Sequence, residues 1–155
     1  MTPSPANAIR LLTAAGATAA TCESLTGGLI CAALTSVPGS SEAVRGGLVT
    51  YATDLKASLA GVDPQLILDH TVVSAQVAEA MAEGTRQVCG ADWGIAVTGV
   101  AGPGPNDGIP AGTVWLSVVG PDSRSTILLS KTGNRSDVRE QVVAEAITLL
   151  CQMLS

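Results

Sequence analysis

Ser41, Tyr51 and Lys56 carry the side chains from which a nucleophile and its activating base could be built. Tyr51 is the only tyrosine of the chain, and Lys56 follows it closely. A lysine that is partly desolvated loses its proton more readily, and it can then activate a serine hydroxyl directly or through a phenol. The same residues could instead cap a turn, pack in the core and lie in solvent. Their spacing alone does not decide between these roles, and it does not match the S-x-x-K pattern of β-lactamases.

The segment from Glu23 to Gly28 joins a predicted strand to a predicted helix. Gly27 and Gly28 would let a ligand approach the backbone, and the free N–H groups of a helix start favour an anion. Ser24 and Thr26 add hydroxyl groups. We therefore predict a phosphate-binding turn here, with an ordinary capped strand–helix turn as the alternative. The spacing is neither that of a P-loop nor that of a dinucleotide fingerprint.

A third candidate lies where a predicted buried strand ends at Thr98 and Gly99. Ligands in open α/β sheets bind at the carboxyl ends of strands, and the following glycine- and proline-rich loop to Gly112 could act as a lid or be a flexible connection. Arg135, near the start of the last predicted helix, could bind a phosphate through two hydrogen bonds or lie on the surface.

Metal and cofactor sites are not expected. His70 is the only histidine, Asp107 has no neighbouring carboxylates in the sequence, and no C-x-x-C pattern occurs among the cysteines, which are Cys22, Cys31, Cys89 and Cys151. Unpaired thiols are typical of a reducing cytoplasm. No leader pattern and no apolar run of about 18 residues occur. We therefore expect a cytoplasmic protein that is not inserted in a membrane.

The charge of the chain indicates what it binds. The net charge is −5, and the 8 basic residues do not cluster. A nucleic-acid binder needs a basic stripe to neutralise phosphates, so that class is not expected. A small anion needs only one arginine and a helix N-terminus. We expect a small-molecule substrate, and the alanine-rich, weakly charged helix faces lead us to expect a homodimer.

The elements that must position these residues alternate along the chain. Residues 1–155 fit one domain. Helices and strands alternate through the first hundred residues and a strand pair follows, which predicts a single-domain α/β fold, a three-layer α/β/α sandwich with a mixed, mostly parallel sheet. The pattern predicts helices at 5–15, 29–36, 54–59, 74–89 and 134–154, a short helical piece from Asp63, and strands at 17–23, 44–51, 92–98, 113–119 and 125–131.

Three stretches in order resemble the CinA C-terminal domain family. They are T-C-E-S-L-T-G-G at 21–28, G-S-S at 39–41 with G-G-L-V-T-Y-A-x-x-x-K at 46–56, and V-T-G-V-A-G-P with P-A-G-T-V-W at 97–115. The family includes enzymes that hydrolyse a linear amide, converting nicotinamide mononucleotide and water to nicotinate mononucleotide and ammonia in pyridine nucleotide recycling. The resemblance implies this activity without a cofactor. A non-catalytic nucleotide-binding or regulatory domain is the alternative.

The resemblance also implies roles for single residues. It places the catalytic set of the family on Ser41, Tyr51 and Lys56, and its ligand contacts on Ser24, Thr98 and Arg135. In the resulting hypothesis, the phosphate lies against the Gly27–Gly28 helix start and Lys56 takes the proton of Ser41 directly or through Tyr51. Thr98 or backbone N–H groups stabilise the oxyanion. A variant in which water is the nucleophile remains open.

Overall fold

The computed structural model describes residues 2–155 and contains five strands and six α-helices. In chain order these are α1 Pro5–Ala14, β1 Ala19–Glu23, α2 Leu29–Thr35, β2 Val44–Val49, α3 Thr53–Ser58, α4 Pro64–His70, α5 Ala75–Cys89, β3 Trp93–Gly99, β4 Thr113–Val119, β5 Arg124–Ser130 and α6 Arg135–Leu154. The predicted elements are all present, with ends that differ by a few residues. The residue that precedes α2 is Gly28, whose φ of 104° lies in the left-handed region.

The sheet has the strand order β2-β1-β3-β4-β5. β1 is parallel to both β2 and β3, whereas β4 is antiparallel to both of its neighbours. Four strands therefore point in one direction, and β4 alone is reversed. The carboxyl ends of β1, β2, β3 and β5 meet at one edge of the sheet, which we call the carboxyl edge.

Helices cover both faces of the sheet. On one face α1, α2 and α6 enclose the larger core, which includes Leu12, Ile30, Leu34, Ile95, Leu116, Val142 and Leu150. On the other face α4 and α5 pack over the smaller core, which includes Cys22, Val77, Met81, Ala96 and Val119. The alternation of side chains along each strand supplies both cores. The three-layer α/β/α prediction is confirmed.

Two glycines let α5 lie close to its neighbours. A Cβ atom at Gly94 in β3 would lie 2.0 Å from the Ala82 carbonyl oxygen of α5, and one at Gly84 in α5 would lie 1.8 Å from the Ala60 carbonyl oxygen. Any side chain at these positions would force the backbones apart. The close packing holds the N-terminal end of α5, and the link before it, at the carboxyl edge. None of the helices formed by residues 2–155 is both long and apolar enough to cross a membrane.

Candidate active site

A cleft of about 410 Å³ opens at the carboxyl edge. It is bounded by the residues that follow β1, β2 and β3, by the link before α5 and by the start of α6. Its lining includes Ser24, Leu25, Tyr51, Lys56, Val72, Val73, Thr98, Gly99, Asn106 and Arg135. Small-molecule sites have volumes of roughly 300–1,000 Å³ and in open α/β sheets lie at this edge. The cleft is therefore the candidate active site.

Lys56 is the buried cation of the cleft, with only 1% of its surface exposed. Its Nζ atom donates hydrogen bonds to the Thr50 carbonyl oxygen at 2.6 Å and to Ser24 Oγ at 3.2 Å. Removal from water lowers the pKa of Lys56, and a smaller opposing effect comes from Cys22. No carboxylate forms an ion pair with Lys56 in residues 2–155. Its neutral form is thus favoured relative to a lysine in water, and that form can accept a proton from Ser24.

Ser24 lies on the turn that follows β1, and its backbone is fixed on two sides. Its N–H donates to the Val97 carbonyl oxygen at 3.3 Å, and its carbonyl oxygen accepts from the Gly27 N–H at 3.1 Å. The side chain is buried except where it faces the cleft. Ser24 therefore has a fixed position beside Lys56, which is the geometry expected of a nucleophile and its base.

Ser41 does not join this group, so the expected cluster of Ser41, Tyr51 and Lys56 is wrong. Ser41 is exposed in a short 3₁₀ turn, Ser40–Glu42, that precedes β2, whereas Tyr51 and Lys56 follow β2. A strand of six residues is about 20 Å long at roughly 3.3 Å per residue. Ser41 thus lies at the edge of the sheet opposite the cleft.

The predicted phosphate site at the start of α2 is also wrong, because a side chain of the protein already occupies it. The fully buried Glu23 carboxylate accepts hydrogen bonds from the N–H groups of Ile30 and Cys31 at 2.8 and 3.0 Å. The Thr26 hydroxyl also donates to it, at 2.7 Å. Gly27 and Gly28 do not line the cleft. The free N–H groups on which the prediction depended are therefore not available to a ligand.

Thr98 and Gly99 do line the cleft, as expected from their position at the end of β3. The Thr98 hydroxyl donates its proton to the Val72 carbonyl oxygen at 2.9 Å. In this arrangement it cannot also donate to an oxyanion. Thr98 instead fixes the link before α5, which forms a wall of the cleft. The sequence held no signal for this wall, since Val72 and Val73 resemble ordinary core residues.

Tyr51 and Arg135 meet at the mouth of the cleft. Tyr51 is 61% exposed, and its hydroxyl accepts a hydrogen bond from Arg135 Nη2 at 3.2 Å. Arg135 Nη1 donates to the Gly102 carbonyl oxygen at 2.7 Å. Arg135 therefore connects the loop after β3 to the segment that follows β2. In residues 2–155 the Tyr51 hydroxyl has no hydrogen bond to Lys56 or Ser24, so this arrangement does not form the expected relay.

The charges around the cleft are of one sign. Lys56 and Arg135 are its charged lining residues, and none of the lining residues is an aspartate or a glutamate. The chain as a whole carries a net charge of −5. A positive cleft in an acidic protein favours an anionic ligand.

His70 and Asp107 are exposed, and in the part of the chain that is described no three metal-ligating side chains cluster.

Glu23 is the residue that sequence reasoning missed. The available signal was an acid at the end of a buried strand, four residues before a Gly-Gly helix start. A carboxylate there can turn back and accept the first N–H groups of the helix.

Comparison with known proteins identifies a family. The sequence profile of the CinA C-terminal domain matches residues 2–154. CinA-like proteins of Frankia casuarinae and Mycobacterium marinum are 46% and 50% identical over 145 and 138 residues, which is 94% and 88% of this chain. The chain spans only 34% and 32% of the length of these two relatives.

Solved structures of CinA proteins match this chain over nearly their whole length. A competence-damaged protein (CinA) superfamily protein from Klebsiella pneumoniae has a TM-score of 0.93 and 33% identity, covering 97% of this chain and 94% of that one. A competence or damage-inducible protein from Enterobacter asburiae has a TM-score of 0.93 and 31% identity, covering 99% and 100%. The profile, the relatives and the structures agree: the chain belongs to the CinA C-terminal domain family.

Proposed function

We propose that the protein is an amidohydrolase that removes ammonia from nicotinamide mononucleotide, with Ser24 as the nucleophile and Lys56 as its base. The observation that carries the proposal is the 3.2 Å contact between Lys56 Nζ and Ser24 Oγ. A buried lysine whose pKa is lowered, placed beside a serine, is suited to nucleophilic catalysis. Ser24 takes the role that the resemblance had given to Ser41.

The reaction proceeds through a covalent intermediate in this proposal. Neutral Lys56 takes the Ser24 proton while Oγ forms a bond to the carboxamide carbon, and a tetrahedral oxyanion results. Collapse breaks the carbon–nitrogen bond, and the protonated Lys56 donates its proton to the departing nitrogen, which leaves as ammonia. Lys56 then takes a proton from water, whose oxygen attacks the ester. The bond between the carbonyl carbon and Ser24 Oγ then breaks, Lys56 returns the proton to Oγ, and nicotinate mononucleotide is released.

The backbone N–H of Leu25 is the donor that we assign to the oxyanion. Leu25 follows the nucleophile and lines the cleft. Its N–H donates no hydrogen bond within residues 2–155. Loss of one such donor in an enzyme typically costs about 3 kcal/mol of transition-state stabilisation. Thr98 is not assigned this role, because its hydroxyl proton is held by Val72.

Arg135 and Tyr51 bind the rest of the substrate in this proposal. Arg135 can form two hydrogen bonds to a phosphate, after releasing Gly102 and Tyr51. The exposed ring of Tyr51 offers its face to the pyridinium ring, where a cation is attracted to the aromatic quadrupole. Tyr51 then acts in binding rather than in proton transfer, and Lys56 contacts Ser24 directly.

We also propose that residues 1–155 act as one cytoplasmic domain that forms a homodimer. A shallow apolar groove between α2 and α6, lined by Leu29, Ala32, Ala33, Glu140 and Val143, supports an interface. Light scattering would measure the molar mass in solution. A monomeric mass at micromolar concentration would contradict the dimer without affecting the assignment of the reaction.

The test is ammonia release from nicotinamide mononucleotide, measured with and without a chelator. Lys56→Met is the matched control, because it keeps the length of the apolar stem and removes the base. We expect turnover by the wild type, none by the variant, and no effect of the chelator. Nicotinamide riboside, which lacks the phosphate, should be hydrolysed poorly. Calorimetric binding without ammonia release would instead indicate a binding or regulatory domain.

A further inference from the structure

The Glu23 carboxylate makes more hydrogen bonds than a helix cap requires. It is fully buried and accepts four. Two come from the hydroxyl groups of Thr26 at 2.7 Å and Thr21 at 3.2 Å, and two from the N–H groups of Ile30 at 2.8 Å and Cys31 at 3.0 Å. Burying a carboxylate is costly unless it is fully hydrogen-bonded. Four donors thus bind a single side chain, that of the residue next to Ser24.

These four partners lie on both sides of Ser24 along the chain. Thr21 belongs to β1, before the turn, whereas Thr26 is in the turn and the two N–H groups belong to α2. The carboxylate therefore ties the strand, the turn and the helix together around the one residue between them that faces Lys56. The turn is held in addition by its backbone contacts, which include those of Ser24 to Val97 and Gly27, and by the Arg139 guanidinium, which donates to the carbonyl oxygens of Leu25 and Thr26 at 2.9 and 3.2 Å.

The backbone of Glu23 connects to the base as well. Its carbonyl oxygen accepts a hydrogen bond from the Thr50 N–H at 2.9 Å. The Thr50 carbonyl oxygen in turn accepts from Lys56 Nζ at 2.6 Å. Glu23 is thus next to Ser24 in sequence, and its backbone is hydrogen-bonded to Thr50, the residue whose carbonyl oxygen holds Lys56.

We propose that Glu23 is a positioning residue that holds Ser24 Oγ within hydrogen-bond distance of Lys56 Nζ, an inference that rests on the proposed roles of these two residues. Glu23 does not touch the substrate. It acts through the turn, whose position its carboxylate determines. Displacement of a reacting group by about 1 Å can reduce the rate by roughly a hundredfold.

The test compares Glu23→Gln with the wild type. The amide keeps the size of the side chain, but its NH₂ group faces hydrogen-bond donors and the turn has to shift. We expect kcat for nicotinamide mononucleotide to fall by about thirtyfold to a hundredfold, with KM changed less than about threefold, since the ligand contacts at Arg135 and Tyr51 are untouched. Leu150→Ala, a core truncation in α6, is the control for reduced stability. It should change kcat by less than about twofold.

Crystal structures of the wild type and Glu23→Gln give a readout that does not depend on activity. We expect the distance from Ser24 Oγ to Lys56 Nζ to increase from 3.2 Å beyond hydrogen-bond range. An unchanged distance, or an unchanged kcat in an active enzyme, overturns the inference. If the wild type does not hydrolyse the nucleotide but the distance increases, the proposed function fails and the positioning role stands.

A second variant covers the case in which Glu23→Gln does not fold. Thr26→Val removes only the 2.7 Å hydrogen bond to the carboxylate. We expect a fall in kcat of about threefold to tenfold with an unchanged KM, together with a smaller displacement of Ser24. A folded Thr26→Val protein with the kcat and the Ser24 position of the wild type contradicts the proposal.

Discussion

Ser24→Ala and Ser41→Ala form a pair of variants that tests the assignment of the nucleophile. Ser24→Ala removes the oxygen that contacts Lys56 at 3.2 Å, but Lys56 keeps its 2.6 Å bond to the Thr50 carbonyl oxygen. Loss of one hydrogen bond costs about 1 kcal/mol of stability. For a domain of this size that lowers the melting temperature by roughly 2–4 °C. The variant should therefore be folded, and its activity should report on chemistry.

The expected effects on turnover are far apart. Without the Ser24 oxygen no ester forms, and we expect kcat to fall by at least about a thousandfold, which corresponds to roughly 4 kcal/mol of activation free energy. The Ser41 side chain is exposed and makes no hydrogen bond among residues 2–155. Ser41→Ala should therefore change stability by less than about 0.5 kcal/mol, and kcat by less than twofold.

The assay is the rate of ammonia release, coupled to reductive amination by glutamate dehydrogenase and followed by the loss of NADH absorbance. Circular dichroism confirms that both variants are folded. Substantial activity in Ser24→Ala together with its loss in Ser41→Ala would refute the reasoning from the cleft. Residual activity of a few per cent in Ser24→Ala that disappears in the double variant with Lys56→Met would indicate water as the nucleophile.

Three further predictions concern the other residues of the cleft. Tyr51→Phe keeps the ring and should retain kcat within about threefold. Tyr51→Leu should raise KM by about tenfold, the effect of losing roughly 1.4 kcal/mol of ring contact. Loss of kcat in Tyr51→Phe would instead indicate that the Tyr51 hydroxyl takes part in proton transfer. Arg135→Ala should raise KM for the mononucleotide by about tenfold to a hundredfold without affecting nicotinamide riboside, which steady-state kinetics will show. Because burial lowers the pKa of Lys56 below its ordinary 10.5, the unfolded chain binds this proton first as the pH falls. The free energy of unfolding of the wild type should therefore fall relative to that of Lys56→Met as the pH falls from 10.5 to the lowered pKa, and the difference should then stay constant. Urea unfolding measured as a function of pH tests this, and an equal pH dependence in the two proteins would contradict it.

The fold could be predicted because its signals are local and repeated. The apolar residues of α5 recur at helical spacing after Ser74, and in the structure the Ser74 hydroxyl accepts from the Val77 N–H at 3.3 Å as a cap does. The alternation of helices with short apolar strands gave the three-layer architecture for the same reason. Such patterns depend on the chain alone, since each element must bury one face.

The site could be predicted only in part, because strand pairing brings its residues together. Glu23 pairs with Val49 across β1 and β2, so Ser24 comes to lie beside Thr50 and Lys56. Nearness in sequence favoured Ser41 instead. The rule that carboxyl ends of parallel strands share one edge, which correctly placed Thr98, also places Ser24 at the cleft and Ser41 away from it. The turn of the Glu23 side chain onto α2 depends on three-dimensional packing that spacing does not encode.

The absence of carboxylates from the lining of the cleft has a consequence for the proposed hydrolysis. Hydrolysis of a carboxamide converts a neutral group into an anionic one, so the product carries one more negative charge than the substrate. That charge arises in a site lined by the Arg135 guanidinium and by Lys56, which is positively charged whenever it holds a proton. The electrostatic attraction that binds the anionic substrate therefore binds the product, with its additional negative charge, more tightly. Dissociation of the acid would limit turnover, and accumulated product would inhibit the enzyme, most strongly at low ionic strength.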